Sequence, residues 1–350
     1  VLALLCGSST LHAQDFKLTS SGYFKNQGVD VMAFDDIYPE GHQGGVCIIM
    51  NGHRVATNGD IRLEATPGQW QPVPKQLDRK LGDNSITATL CYPDSSRHLT
   101  GFNPMIYPDL HLIYTVNVES KGKNIEVTVD LDRPIPQEFI GKVGFNLEFF
   151  PGSLFGKPWI MDGQSGIFPQ QPNSPLMTTQ PNYLHTGNYH DGKKSLADMD
   201  KLIGKGYSPI VADDIISEPY AKGTKFTSRP DDPYNKVTIE SLSGDLQLFD
   251  GRMNHNNGWF VLRSNIKPGV TKGAVKWIIT PNVVADWMYQ PVIQTSQIGY
   301  HPTQDKEAVI EMDIRDNRKE TAQIIRIDAD GEKVVKNVTP ANWGKFLRYN

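Results

Sequence analysis

The chain is predicted to be all-β: a large antiparallel β-sandwich followed by a second, smaller β-module. Three observations predict it. Apolar residues recur at every second position through many short runs. Asn-Gly, Gly and Pro steps punctuate those runs, and almost nothing has helical spacing. A length of 350 residues suggests about two domains and leaves room for substantial cores.

In chain order, residues 45–50 run into Asn51-Gly52, residues 54–56 into Asn58-Gly59, and a further run follows at 61–65. Each Asn-Gly step between such runs predicts a hairpin. Residues 110–118 place Leu110, Leu112, Tyr114, Val116 and Val118 on one face. A turn around Gly122 leads to Ile125, Val127, Val129 and Leu131, again of one parity, so this hairpin sets one side on a core and the other in water. At 143–150 Phe145, Leu147 and Phe149 alternate with Asn146 and Glu148. Residues 151–181 lack periodicity and predict a long loop of the kind that lines binding surfaces. Residues 194–204 predict a short helix, with Leu196, Met199, Leu202 and Ile203 at helical spacing and Gly204 as its stop. Strands resume at 236–242, 246–249, 259–263 and 274–280, and a boundary is expected near Gln290. No repeat of fixed period is present, which argues against a propeller or solenoid.

Residues 1–14 are expected to be the remnant of a signal peptide, an apolar run closing on Ala13. Leu5 before Cys6 fits a lipoprotein site poorly, so a secreted, periplasmic or cell-surface location is expected. The net charge of −4, from 35 basic and 39 acidic residues, leaves no electrostatic footprint for nucleic acid or an anionic membrane. No membrane span is expected, because no later apolar stretch approaches about 18 residues. Cys47 and Cys91 could pair in an oxidising compartment or stand as buried thiols.

Residues that could carry chemistry are sparse. The acidic pairs Asp35-Asp36, Asp213-Asp214 and Asp231-Asp232 point to opposite faces if they lie on strands, so they read as loop carboxylates. They leave room for a Ca²⁺ site that no motif supports, and no cofactor is expected. His185, His190 and Asp191 are close in sequence but match no metal motif. No Gly-x-Ser-x-Gly elbow is present. Flat indole faces could stack on sugar rings, and Trp159, Trp70 and Trp259 beside Gly or Pro turns are the candidates; packing in a core or at a sheet edge is the alternative use.

The last sixth of the chain carries the most specific signal. Residues 292–314, VIQTSQIGYHPTQDKEAVIEMDI, read as a strand, a Gly299-Tyr300-His301-Pro302 corner, a polar step and a second strand. The turn at Asp328-Ala329-Asp330-Gly331 and the run Trp343-Gly344-Lys345-Phe346 follow. In order and spacing this resembles the opening of the Ig-like domain that precedes the catalytic domain of many glycoside hydrolase family 9 enzymes. On that resemblance Gly299, Tyr300 and Pro302 are structural, and the domains are a large β-sandwich at 15–290 and the start of an Ig-like sandwich at 291–350. The family's Asp-Ala-Gly-Asp signature and its helical barrel are not in this sequence.

The resemblance implies the non-catalytic N-terminal part of a secreted, polysaccharide-degrading glycoside hydrolase. The parent would be an inverting endoglucanase-like enzyme on cellulose- or xyloglucan-type β-glucans, with a polysaccharide as partner and its catalytic domain expected in cis beyond Asn350. The alternative is a stand-alone carbohydrate-binding or surface protein. A third reading makes the large sandwich itself a lyase or hydrolase, although no motif supports it.

Overall fold

The computed structural model describes residues 15–35, 44–64, 67, 74–92, 110–172, 218–253, 258–318 and 321–345. Among them the chain is all-β, with short 3-10 turns and no α-helix. The helix expected at 194–204 lies outside the described residues, as do Trp70, His185, His190 and Asp191. The chain divides into two compact units, Val1–Ala285 and Asp286–Asn350.

The first unit contains two nine-stranded antiparallel sheets. One comprises β1 (Lys17–Leu18), β2 (Phe24–Asn26), β3 (Val29–Ala33), β4 (Val46–Met50), β5 (His53–Leu63), β10 (Val143–Phe149), β13 (Ala221–Gly223), β16 (Leu246–Asp250) and β17 (Phe260–Asn265). Its order is β1-β2-β3-β4-β5-β10-β17-β16-β13. The other comprises β6 (Lys75–Leu81), β7 (Ser85–Cys91), β8 (Ile113–Lys121), β9 (Asn124–Leu131), β11 (Pro158–Met161), β12 (Gln164–Ile167), β14 (Lys225–Ser228), β15 (Val237–Ser241) and β18 (Val275–Pro281). Its order is β12-β11-β14-β15-β18-β9-β8-β7-β6.

Aromatic side chains bridge the two sheets. Phe145 on β10 meets Trp277 on β18 edge-on at 4.9 Å, and Phe149 meets Phe226 on β14 at 5.8 Å. The buried Trp277 indole N–H also donates to the Ser264 hydroxyl on β17 at 3.0 Å, so its one polar atom is satisfied inside the core. In β7, β8, β9 and β15 buried residues alternate with partly exposed ones, as period-two patterning predicts.

Two sequence expectations need correction. Asn51-Gly52 does form a hairpin turn, with φ of 53° and 84° and Met50 paired to His53. Asn58-Gly59 does not: β5 runs on through it as an 11-residue strand with an irregular register on both flanks. Gly59 lies so close to β4 that an added Cβ would stand 2.6 Å from the Val46 Cβ, so these residues fit a bulge beside a neighbouring strand. The expected loop after Phe150 is likewise partly ordered as the β11/β12 hairpin. Strands of four residues hold too few alternations to stand out in the sequence.

In the second unit β19 (Val292–Gln294) pairs with β20 (Val309–Glu311), and β21 (Ala322–Asp328) pairs with β22 (Gly331–Val338). The corner between the first pair is tied by Tyr300, whose hydroxyl accepts from the Ser296 N–H at 3.1 Å and donates to the Glu307 carbonyl. Gly299 at φ 81° makes the reversal without Cβ strain.

Candidate functional site

β5, β10 and β17 are buried on both faces over most of their length. One face is core: Ile61, Leu63, Phe145, Leu147, Phe260 and Leu262. The alternate residues are polar and charged. Asp60, Arg62 and Glu64 at the end of β5, Asn146 and Glu148 on β10, and Arg263 on β17 are each 4% exposed or less.

Register brings them together. Asp60 pairs with Asn146 and Asn146 with Arg263, while Arg263 pairs with the half-buried Gln247 of β16, giving a polar row across four strands. Gly144 sits one pleat along, opposite Arg62 and Asn265, and its missing side chain leaves the space that the Arg263 guanidinium fills. From there Arg263 donates through Nη1 to Glu64 Oε1 at 3.2 Å and to Asn146 Oδ1 at 3.1 Å. Its Nε reaches Asn265 Oδ1 at 2.7 Å. Asn146 Nδ2 donates to the same Glu64 Oε1 at 2.5 Å, so that oxygen receives two donors. At the other end the β5 bulge, with Asn58 at φ 56°, brings Asn58 Nδ2 to Glu148 Oε2 at 2.6 Å.

β4 pairs with β5 only as far as Gly59. Beyond that point two tyrosines of the other sheet reach β5. The Tyr92 hydroxyl donates to the Ile61 carbonyl at 2.9 Å, and the Tyr114 hydroxyl donates to Asp60 Oδ1 at 3.0 Å.

The charges feel their burial. Glu64 is pushed up to about 7, by burial first and by the Glu148 charge, against the pull of Arg263 and Asn146. Asp60 is pushed up to about 6 by burial, with Arg62, the Ile61 N–H and Tyr114 acting in the other direction. Burial opposes the charge on Arg62, but Glu148 and Asp60 outweigh it and hold the guanidinium protonated. Burial lowers Arg263, which Glu64 partly offsets. Three buried atoms, Asn58 Oδ1, Arg62 Nε and Glu64 Oε2, have no hydrogen-bond partner among the described residues. Buried polar groups are nearly always paired, so a cluster holding three such orphans is unusual for a packed interior. Its chemistry offers carboxyl, amide and guanidinium groups together, which can transfer protons and grip vicinal hydroxyls.

Of the indoles singled out from sequence, Trp159 lies in the other sheet and Trp259 directly precedes β17. Trp159 is buried on β11 with its ring against Gly166, where an added Cβ would stand 2.4 Å from the indole. Trp259 is half-buried and meets Phe150 edge-on at 4.2 Å. Gly299, Tyr300 and Pro302 lie in the second unit's corner. No group of three or more His, Cys, Asp or Glu suited to a metal ion occurs among the described residues. Asp232 instead accepts from the Tyr234 N–H at 2.9 Å and Asn235 Nδ2 at 3.0 Å within a turn. Cys47 and Cys91 are not joined in a disulfide. No described helix is long and apolar enough to cross a membrane.

The sequence reading passed over the polar row because alternation alone assigns Asn146 and Glu148 to solvent. The available signal was density: Asp60, Arg62 and Glu64 put three charges of both signs on one parity of a strand whose other parity is Ile61 and Leu63. No family model matches the chain, and no curated protein matches it. Among solved structures it is similar to the Slr1438 protein of Synechocystis sp. PCC 6803, at 11% identity over 77% of this chain and 96% of that one, with a TM-score of 0.33. A likeness at that level carries no argument about fold or function.

Proposed function

We propose that the large β-sandwich binds a glycan at the polar face of β5, β10 and β17, within a secreted or periplasmic polysaccharide-processing protein. The observation that carries this is the set of three unpartnered buried atoms, Asn58 Oδ1, Arg62 Nε and Glu64 Oε2, on one face. Together they offer an acceptor, a donor and a carboxyl oxygen, the combination that adjacent sugar hydroxyls satisfy, since each hydroxyl both donates and accepts. The half-buried Gln247 and Asn265 are where this row comes nearest to solvent.

The ligand class follows from the family 9 resemblance of residues 292–314, which implies β-glucans of the cellulose or xyloglucan type. The Tyr300-tied corner between β19 and β20 supports that part of the reading. The leader-like run at the N-terminus supports export.

Calorimetric titration of the purified chain with soluble xyloglucan and mixed-linkage β-glucan oligosaccharides tests the proposal. Saturable binding is expected, weakened about tenfold by Asn58→Ala, the loss of roughly one buried hydrogen bond. No heat with any oligosaccharide, or unchanged affinity in a folded Asn58→Ala protein, overturns it.

A further inference from the structure

We infer that the large sandwich carries a second sugar-contact surface, an open groove on the outer face of β8, β9 and β18 that takes one neutral pyranose ring. This surface rests on the glycan reading above for the chain it contacts, and it shares no residue with the polar face of β5, β10 and β17.

The groove has a volume of about 280 Å³. Register assembles it on the solvent side of the sheet, with Val127 and Trp277 turned into the core. Glu119, Glu126 and Ile278 stand in one row across the three strands, and Thr128 lies opposite Lys276 one pleat along. Leu242, where the chain leaves β15, donates its N–H to the Lys276 carbonyl at 2.8 Å and lines the groove while 59% exposed.

The two sides differ in chemistry. One is aliphatic, made by Leu242, the half-buried Ile278 and the Lys276 methylenes. The Lys276 ammonium leans off this side toward Gly273, where an added Cβ would stand 2.4 Å from its Cε and 3.3 Å from its Nζ. The other side is rich in acceptors. Lys121 Nζ lies 2.5 Å from Glu126 Oε2 and 3.6 Å from Glu119 Oε2, so two carboxylates face one local ammonium and their oxygens outnumber its donors. The Thr128 hydroxyl adds to this side.

A pyranose ring divides in the same way. Its C–H face lies on aliphatic carbon, and the hydroxyls along its edge donate to carboxylate and hydroxyl oxygens. An anionic ligand meets the surplus of carboxylate charge and is disfavoured. The volume lies just below the roughly 300–1,000 Å³ of ordinary ligand sites, which limits the groove to one ring. Neighbouring rings of a chain find further polar partners on the same face. Thr280 Oγ1 donates to Asn124 Oδ1 at 2.9 Å, Thr238 pairs with Thr280, and the Thr227 and Thr238 hydroxyls meet at 3.0 Å, giving a hydroxyl and amide row across four strands beside Ile278.

The test uses the purified chain. Saturation-transfer NMR with methyl β-glucoside reads contact with a single ring, and calorimetric titration with the oligosaccharides above reads contact with a chain. Leu242→Glu and Glu126→Ala alter exposed or half-buried side chains and are expected to fold as the wild type does. Saturation of the glucoside ring protons is expected in the wild type and is expected to vanish in Leu242→Glu, with oligosaccharide affinity lowered about tenfold. Affinity is expected to hold between about 0.05 and 0.5 M salt, because the ligand carries no charge. If Leu242→Glu fails to fold, Glu126→Ala decides, with a loss of about threefold expected. Unchanged binding in the folded variant overturns the inference; a loss in Asn58→Ala then leaves the polar-face reading standing. Weakening by Leu242→Glu with none by Asn58→Ala keeps the groove and overturns the polar face. Affinity that collapses with salt assigns the groove to a cationic partner and overturns the inference. A chain that binds no sugar overturns both readings.

Discussion

The guanidinium of Arg263 lies directly over Gly144, so close that a Cβ on that glycine would stand 2.7 Å from its Nε and 2.9 Å from its Cζ. The backbone carbonyl of Ser264 closes the same space at 2.8 Å. Gly144 therefore makes room for the guanidinium that donates to Glu64 Oε1. Gly144→Ala is expected to force Arg263 aside and leave a buried carboxyl without its partner, at a cost of about 3–5 kcal/mol. Urea denaturation of the variant beside the wild type measures it. A loss under about 1 kcal/mol would mean that Arg263 relaxes without consequence.

The raised carboxyls set the direction of the pH dependence of folding. Glu64 ionises at about 7 in the folded chain against an ordinary value of 4.5, and Asp60 at about 6 against 3.8. Between each pair of values the folded state holds a proton that the unfolded chain has released, so stability falls as pH rises. The stabilising increment is fully present below the unfolded values and is lost as pH climbs through about 6 for Asp60 and about 7 for Glu64. Each group accounts for on the order of 3 kcal/mol. Denaturation midpoints measured from pH 5 to 8 are expected to decline, and less steeply in Glu64→Gln. A midpoint that rises through this window would show that the cluster is not buried as described.

Trp159 is expected to matter for folding and not for sugar. Its ring is buried, 7% exposed, with Gly166 flattened against it. Trp159→Ala is expected to destabilise by about 3–5 kcal/mol and to leave oligosaccharide affinity unchanged in the protein that remains folded. Thermal denaturation and the same calorimetric titration separate the two effects. Lost affinity at unchanged stability would return the binding surface to β11.

How far the chain was legible follows from what each strand contains. β8 and β9 were readable residue by residue, since Tyr114, Val116 and Val118 alternate with partly exposed Thr115 and Asn117. The second unit's hairpins were readable from the Gly299 corner and the Asp328–Gly331 turn. The polar row was not, because alternation reports which residues share a face and says nothing of whether that face meets water. Glu148 on β10 and Glu126 on β9 follow the same sequence rule, yet Glu148 is buried while Glu126 meets the exposed Lys121. The pairing of Glu64 with Arg263 spans a sequence separation of 199 residues, which no local pattern encodes.

The extra residue in β5 has a consequence for how the chain can change. Ala56 stands opposite Phe149 and Ile61 opposite Phe145, which requires one more residue on β5 than on β10 between those pairs. If all of these residues paired with no bulge, strict alternation from Ala56 would send Arg62 and Glu64 toward the aromatic interior and turn Ile61 and Leu63 outward. Single substitutions around Asn58 alter one side chain, whereas loss of one codon there would remove the extra residue, leave four steps on each strand between those pairs and keep Ile61 and Leu63 facing inward. The polarity of this sheet is thus written in a residue count, and shortening by one position at the bulge is a change that costs the irregularity and spares the two faces.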